Sequence, residues 1–297
     1  MANNCNAPEQ LHDTRNKGKG QFAIVMKRLM HNPSAIIGMV IVLVLAILAI
    51  FAPYIAPYDY TAMDVTIAKQ GPSAEHWFGT DDLGRDMFSR LIYAGRYSLT
   101  MGIASVALSF VISVVLGSVA GFFGGWVDNL IMRFLDCISA IPGLLMAILV
   151  SAALGTGYVN TVLALAVGGI GGMTRLLRAQ VMSERGKEYS EAAKAINCTN
   201  TRIIFNHILP NAMTPMIVNA TGLVAGSLLF AAALSFIGLG VQPPAPEWGA
   251  MLAGARNYVR TYPHMLVFPG LFICVTVVGL NMLGDALRDA LDPKLKK

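Results

Sequence analysis

The sequence predicts an all-α polytopic membrane protein: six transmembrane helices, with both termini on the cytoplasmic side. Three observations carry that expectation. Hydrophobic residues fill 55% of the 297 positions and charged residues only 13%, about half the roughly 25% charge of a soluble domain. Long stretches contain no Asp, Glu, Lys or Arg: 30 residues between Arg28 and Asp59, 31 between Arg96 and Asp128, 38 between Asp136 and Arg175, 44 between Arg202 and Glu247, and 24 between Arg260 and Asp285. A spanning helix needs about 20 mainly apolar residues, so each stretch holds one and the 38-residue stretch has room for two.

The placement of basic residues is the third observation, and it decides between one span and two. Arg15, Lys17, Lys19, Lys27 and Arg28 precede the first span. Arg175, Arg178, Arg185, Lys187, Lys194 and Arg202 follow the 38-residue stretch. Arg288, Lys294, Lys296 and Lys297 close the chain. With two spans in that stretch, all three clusters fall inside; with Arg133 they account for 16 of the 22 Lys and Arg. A single span would put the six-residue cluster outside, against the tendency of basic loops to stay cytoplasmic.

In chain order, 1–33 reads as a cytoplasmic tail and 34–52 as an uncleaved first span, since no small-x-small cleavage site follows it. Residues 53–97 form an outside segment with six acids (Asp59, Asp64, Glu75, Asp81, Asp82 and Asp86) and an interfacial helix capped by Asp81 or Asp82. Residues 98–287 hold five further spans. The second lies near 98–121. The third runs near 133–154, with Pro142 as a kink and a local Arg133–Asp136 ion pair. The turn signal Gly155-Thr-Gly157 separates it from the fourth, near 158–175. The fifth lies near 212–239 and the sixth near 264–287, and 288–297 is a cytoplasmic tail. A second outside segment covers 240–263, where Pro243, Pro244 and Pro246 forbid regular helix. Gly117/Gly121, Gly168/Gly172 and Gly222/Gly226 have G-x-x-x-G spacing, which permits close helix contact in lipid; Gly222 and Gly226 alternatively border a pore or a partner seam.

Several functions are disfavoured by absence. Cys5, Cys137, Cys198 and Cys274 form no C-x-x-C pair and read as small apolar residues. His207 and His264 sit near interfaces, without a metal-ligand pattern around them. The net charge of +5 is no nucleic-acid signal. The central parts of the spans lack the ionisable residues of many ion-coupled carriers, and no H-E-x-x-H or nucleophile–base set points to a membrane enzyme. The sequence Gly79-x4-Gly84-Arg85-Asp86 superficially matches a phosphate loop, but the Lys and hydroxyl are missing. The chain is expected to bind no ATP and no other cofactor.

The cytoplasmic loop at 175–211 is too short for a catalytic domain. Its residues 188–196 are good helix formers with a small-residue face at Ala192, Ala193 and Ala195. Asn197 suits a left-handed residue after the helix. Thr199 or Asn200 can cap a second helix, and Ile203, Ile204, Ile208 and Leu209 make an apolar stripe that Pro210 interrupts. The expectation is a helix-turn-helix elbow. A simple surface connector is the alternative. This stretch resembles the E-A-A-x3-G-x9-I-x-L-P loop of ABC importer permeases, with Glu191, Ala192 and Ala193, Asn197 in place of Gly, His207 in place of the first Ile, then Ile208, Leu209 and Pro210. The resemblance implies that the loop is the coupling helix that seats in a groove on an ATPase subunit.

Two further runs resemble the C-type permease of dipeptide, oligopeptide and nickel importers. In FGTDDLGRDMFSRLIYAGRYSL the matching positions include Gly79, Thr80, Asp81, Gly84, Arg85, Asp86 and Arg90. The second run is GLGVQPPAPEWGAML, and the closing NMLGDALRDALDPKLK also matches. What the resemblance implies is the type I importer permease fold in the prokaryotic inner membrane and alternating access driven by ATP. The implied partners are a second homologous permease, two ABC ATPase subunits that bind the ATP, an extracytoplasmic substrate-binding protein and the lipid bilayer, with no nucleic acid. Peptide is the favoured solute; nickel, glutathione or another small solute is the alternative, and a secondary transporter is the alternative of a different class.

Overall fold

The computed structural model describes Met26 and residues 28–291. The basic tail residues Arg15, Lys17, Lys19, Lys27, Lys294, Lys296 and Lys297, and Cys5, lie outside them. Among the described residues there is no strand, only one isolated bridge between Thr80 and Asp86. Five helices are long and apolar enough to cross a bilayer, and a bent pair supplies a sixth crossing if it counts as one.

The first span is α1 (Pro33–Ile50). Asn32 caps it, its side chain accepting from Ser34 N at 3.0 Å, and Pro33 stands at the first position, where a missing N–H costs nothing. The last span, α11 (His264–Leu291), runs back along it. Gly38 makes that crossing close: a Cβ there would lie 2.8 Å from Gly279 O. At the same end Arg28 reaches Ala290 O, and Leu29, Ala35, Ala286 and Ala290 are buried together. The two ends of the described chain therefore meet on one side, as an even number of crossings requires.

The spine of the bundle is the pairing of α3 (Met87–Phe123) with α6 (Tyr158–Arg185). Every fourth residue of α3 on that side is small. Ser109 Oγ donates to Ala166 O (2.7 Å), Ser113 Oγ to Ile170 O (3.1 Å), and Thr174 Oγ1 to Ser113 Oγ (3.1 Å). At Gly117 and Gly121 a Cβ would lie 3.0 Å from Thr174 O and 2.8 Å from Arg178 O. The Gly117/Gly121 spacing thus serves close packing, and two serines extend the same stripe outward.

Three boundaries differ from expectation. The second span does not begin near residue 98, because the expected interfacial helix is its outer end: α3 is continuous from Met87, with Leu91, Ile92 and Arg90 buried. Asp86, not Asp81 or Asp82, is its cap, accepting from Ser89 N at 2.7 Å. The third crossing is broken. The helices α4 (Gly125–Ser139) and α5 (Gly143–Leu154) meet at 87° across 140–142, where Pro142 cannot continue a helical ladder. With 12 residues, α5 is about 18 Å long, short of the ~30 Å hydrocarbon core. The preceding α4 is amphipathic, with Trp126, Leu130 and Phe134 exposed and Asp128 and Leu135 buried. Asp136 pairs with Arg175 at 3.2 Å, not with Arg133, since α4 crosses the end of α6.

The elbow is also shorter than 175–211. Helix α6 continues to Arg185, α7 spans Glu188–Ala195, and a helical turn, α8 (Asn200–Arg202), runs through π-helical 203–208 into α9 (Leu209–Phe236). Pro210 therefore does not end the helix. It lacks an N–H, and the wider turns before it carry the chain past the missing bond. On the other side, a four-residue helix α2 (Ala52–Ile55), the turn at Val65–Ile67 and α10 (Trp248–Ala255) build an outer cap.

Candidate functional site

The outer signature forms a closed knot. Gly79 and Gly84 have φ of +78° and +74°, the left-handed region that favours glycine. A Cβ on Gly84 would sit 1.7 Å from Asp64 O. Asp81 accepts from Leu83 N, Arg85 N and Arg85 Nε (2.9, 3.0 and 2.6 Å), and Arg90 Nε lies 3.4 Å away. Arg90 also donates to Tyr60 O at 3.0 Å. Thr80 Oγ1 donates to Ile67 O and accepts from Gln70 N. His76 Nδ1 lies 2.9 Å from Asp86 Oδ1. Arg85, Asp86 and Arg90 are only 8%, 3% and 6% exposed, and such burial is tolerable because each has hydrogen-bond or ion-pair partners. All seven signature residues come together, and their polar side chains are spent inside the knot, on one another and on neighbours such as Tyr60, Ile67 and His76.

The second outside run packs onto this knot. His264 Nε2 lies 3.3 Å from Thr80 O, Lys69 Nζ sits 4.4 Å over the Tyr258 ring, and Phe78 stacks on Phe268 at 4.1 Å. Glu247 caps α10 through Ala250 N (2.9 Å) and accepts from Ser98 Oγ on α3 (3.0 Å). Burial pushes its carboxyl above the ordinary range, against hydrogen bonds that pull it down. Trp248 Nε1 donates to Leu91 O at 3.0 Å.

On the cytoplasmic side the elbow divides into a buried and a free face. Ala193, Ile208 and Leu209 are buried with Phe122, Val181, Ile203 and Ile204. Glu191, Ala192, Asn197 and Pro210 are exposed. Asn197 has φ +60°. Its N–H donates to Lys194 O (2.9 Å) and the next N–H, of Cys198, donates to Ala193 O (3.1 Å). This is the paired bond pattern of a Schellman turn, so Asn does the work expected of Gly. Two residues that the sequence reading did not single out also belong to the free face: Ile196 and Phe205, 76% and 60% exposed. These large apolar side chains stand exposed on the same elbow as the exposed charges Lys187, Glu188 and Lys194. Phe205 escaped notice because it sits inside the apolar run it does not share.

Between the two ends, glycines split into two kinds. Gly172, Gly222 and Gly226 have nothing within 4 Å of a built Cβ. Gly226 also lines a cavity of about 120 Å³ with Ser105, Ser109, Gly168, Ser227 and Phe230, at the junction of α3, α5, α6 and α9. At Gly172, Gly222 and Gly226, then, an added methyl would meet no other part of the described chain.

A bundle of this shape, with a water-facing elbow and no nucleotide loop among its motifs, is that of a transporter's membrane subunit. Residues 113–297 match the family described as the binding-protein-dependent transport system inner membrane component, and residues 20–72 match the N-terminal transmembrane domain of oligopeptide transport permease C. The chain belongs to this family of importer permeases: it is a multi-pass inner-membrane subunit, and ATP hydrolysis is the task of separate subunits. It is 46% identical over 270 residues to the dipeptide transport system permease of Alkalihalophilus pseudofirmus, covering 91% of this chain and 89% of that one. It is 41% identical over 272 residues to the oligopeptide transport system permease of Bacillus subtilis (92% and 89% covered), and 43% identical over 271 residues to the glutathione transport system permease of Pectobacterium atrosepticum (91% and 90%). The fold is similar to that of a chain in the inward-facing MetNI methionine ABC transporter, with TM-score 0.55 at 17% identity over 69% of this chain and 98% of that one. A chain of an amino acid ABC transporter aligns with TM-score 0.54 at 14% identity, covering 69% and 95%. As an importer permease of this kind, the chain works in general with a partner permease, ATPases and a binding protein.

Proposed function

We propose that this chain and a second homologous permease form between them the pathway for di- or oligopeptides, delivered by an extracytoplasmic substrate-binding protein and driven by two ABC ATPase subunits. The observation that carries the reading is the free face of the elbow. Glu191, Ala192, Ile196, Asn197 and Phe205 are exposed along the elbow, from α7 through its turn to the π-helical stretch, while its opposite face is locked into the bundle. Small residues let a partner groove approach closely, and Glu191 offers charge-assisted hydrogen bonds. ATP is bound by the ATPase subunits, and this chain needs no cofactor. The open faces of α6 and α9 supply its side of the route. Peptide as the solute is supported by the relatives, two of which are named for dipeptide and oligopeptide transport.

The outer cap is the surface offered to the binding protein. Arg85 and Asp86 act there by holding its shape, since both are buried. The test is reconstitution of the chain with its sister permease, ATPases and binding protein in liposomes, measuring ATP-dependent uptake of a labelled dipeptide. Uptake that needs the binding protein, and that is lost on Glu191→Ala with Phe205→Ala, supports the reading. Solute movement by this chain alone without ATP overturns it.

A further inference from the structure

The coupling helix is tied to the bundle by one polar hub that the motif does not include. Glu184, in the last turn of α6, is 7% exposed. Its Oε1 accepts from Lys187 Nζ at 2.7 Å and its Oε2 from Tyr189 OH at 2.5 Å. The same hydroxyl accepts from Asn211 Nδ2 at 3.4 Å, and Asn211 also donates to His207 O at 2.8 Å. One atom, the Tyr189 hydroxyl on α7, thus joins α6 to α9. Among the described residues no other α7 side chain hydrogen-bonds to either span. The covalent path from α6 to α7 passes through Gly186, which is exposed, with only Ser183 O, at 3.9 Å, near a built Cβ, and a glycine there leaves the backbone joint conformationally permissive.

We propose that Tyr189 is a positioning residue for transport: its hydroxyl, held by Glu184 and Asn211, makes α6 and α9 follow the coupling helix together when the ATPases move it. This rests on the coupling function proposed above. The two spans it links are those whose glycine faces are open at Gly172, Gly222 and Gly226. If they moved separately, the route between them would deform without reorienting, and ATP would be spent without transport. Burial and the neighbouring Glu184 carboxylate push the phenol up to about 12, so it stays a neutral donor at every working pH.

The experiment uses the complete importer in proteoliposomes, with uptake of a labelled dipeptide and ATP hydrolysis measured on the same preparation. Tyr189→Phe removes one oxygen and keeps the ring. The expected result is normal assembly and binding-protein-stimulated hydrolysis, with solute moved per ATP falling roughly fivefold or more. Asn211→Leu should give the same loss, while Glu184→Gln, whose amide oxygen still accepts from Tyr189, should keep most of the wild-type ratio. A wild-type ratio in Tyr189→Phe overturns the proposal, as does failure of that variant to bind the ATPases. A wild-type preparation without ATP-driven uptake would instead overturn the function on which it rests.

Discussion

The Arg178 guanidinium donates two hydrogen bonds to the Asp128 carboxylate, and this bridge pins the amphipathic α4 across the cytoplasmic end of α6. The Asp128 side chain is 11% exposed. The pair fastens the first limb of the broken crossing to α6. Single replacements Asp128→Asn and Arg178→Gln should each lower thermal stability in detergent. A double-mutant cycle should show a coupling of about 1–3 kcal/mol; a coupling near zero would mean that the Asp136–Arg175 pair and the packing of Leu135 hold α4.

Glycines with the same spacing should respond in opposite ways to alanine. At Gly121 the added methyl would meet Arg178 O at 2.8 Å, whereas at Gly226 it meets open space. Gly121→Ala is expected to cost about 1–3 kcal/mol, as overpacking does. Gly226→Ala should leave the isolated chain within about 0.5 kcal/mol of wild type. If Gly226 faces the sister permease, its alanine variant should weaken pull-down of that subunit while melting normally.

Asn197 stands in a left-handed conformation with φ +60°. Alanine there should cost about 1 kcal/mol, and glycine should be neutral or stabilising. Melting curves of the two variants, with ATPase binding measured alongside, check the assignment. Equal stability of Ala and Gly would show that the turn tolerates a different path.

Acid should loosen the outer turn at 64–67 in a defined direction. The Asp64 carboxylate accepts from Thr66 Oγ1 and Thr66 N, which holds it below its ordinary value of 3.8. A depressed carboxylate contributes stability above its unfolded pKa, and the contribution is lost as pH falls through the folded one. A carboxyl titration of labelled Asp64 in nanodiscs should therefore have its midpoint below 3.8, and Thr66→Val should move it up. An unchanged midpoint in that variant would remove the hydroxyl from the account.

Much of this architecture is legible along the chain, for identifiable reasons. Charge-free stretches mark crossings because hydrocarbon penalises every ion, and Asn197 betrays its turn because few residues accept positive φ. Other features depend on partners far away in sequence. Asp128 and Arg178 are 50 residues apart, and nothing local at Asp136 favours Arg175 over Arg133. Nothing local marks Ser109 and Ser113 as the contact face of their span, since the carbonyls they meet lie 57 residues on. Nothing local at Arg90 announces the carboxylate of Asp81 and the carbonyl of Tyr60 that meet it inside. The bend at Pro142 is visible as a break, but its 87° angle comes from what α4 packs against.

One last consequence follows from the length of α3. Its 37 residues make an unbroken rod of about 55 Å. At the outer end Asp86 and Arg90 are knotted into the cap. At the inner end the Phe122 ring lies 5.9 Å from Lys194 of the coupling helix and 5.9 Å from Arg185. A stiff rod anchored at both ends tilts as a lever. A tilt imposed on the outer cap is therefore also a tilt beneath α7, because the two ends belong to one unbroken helix.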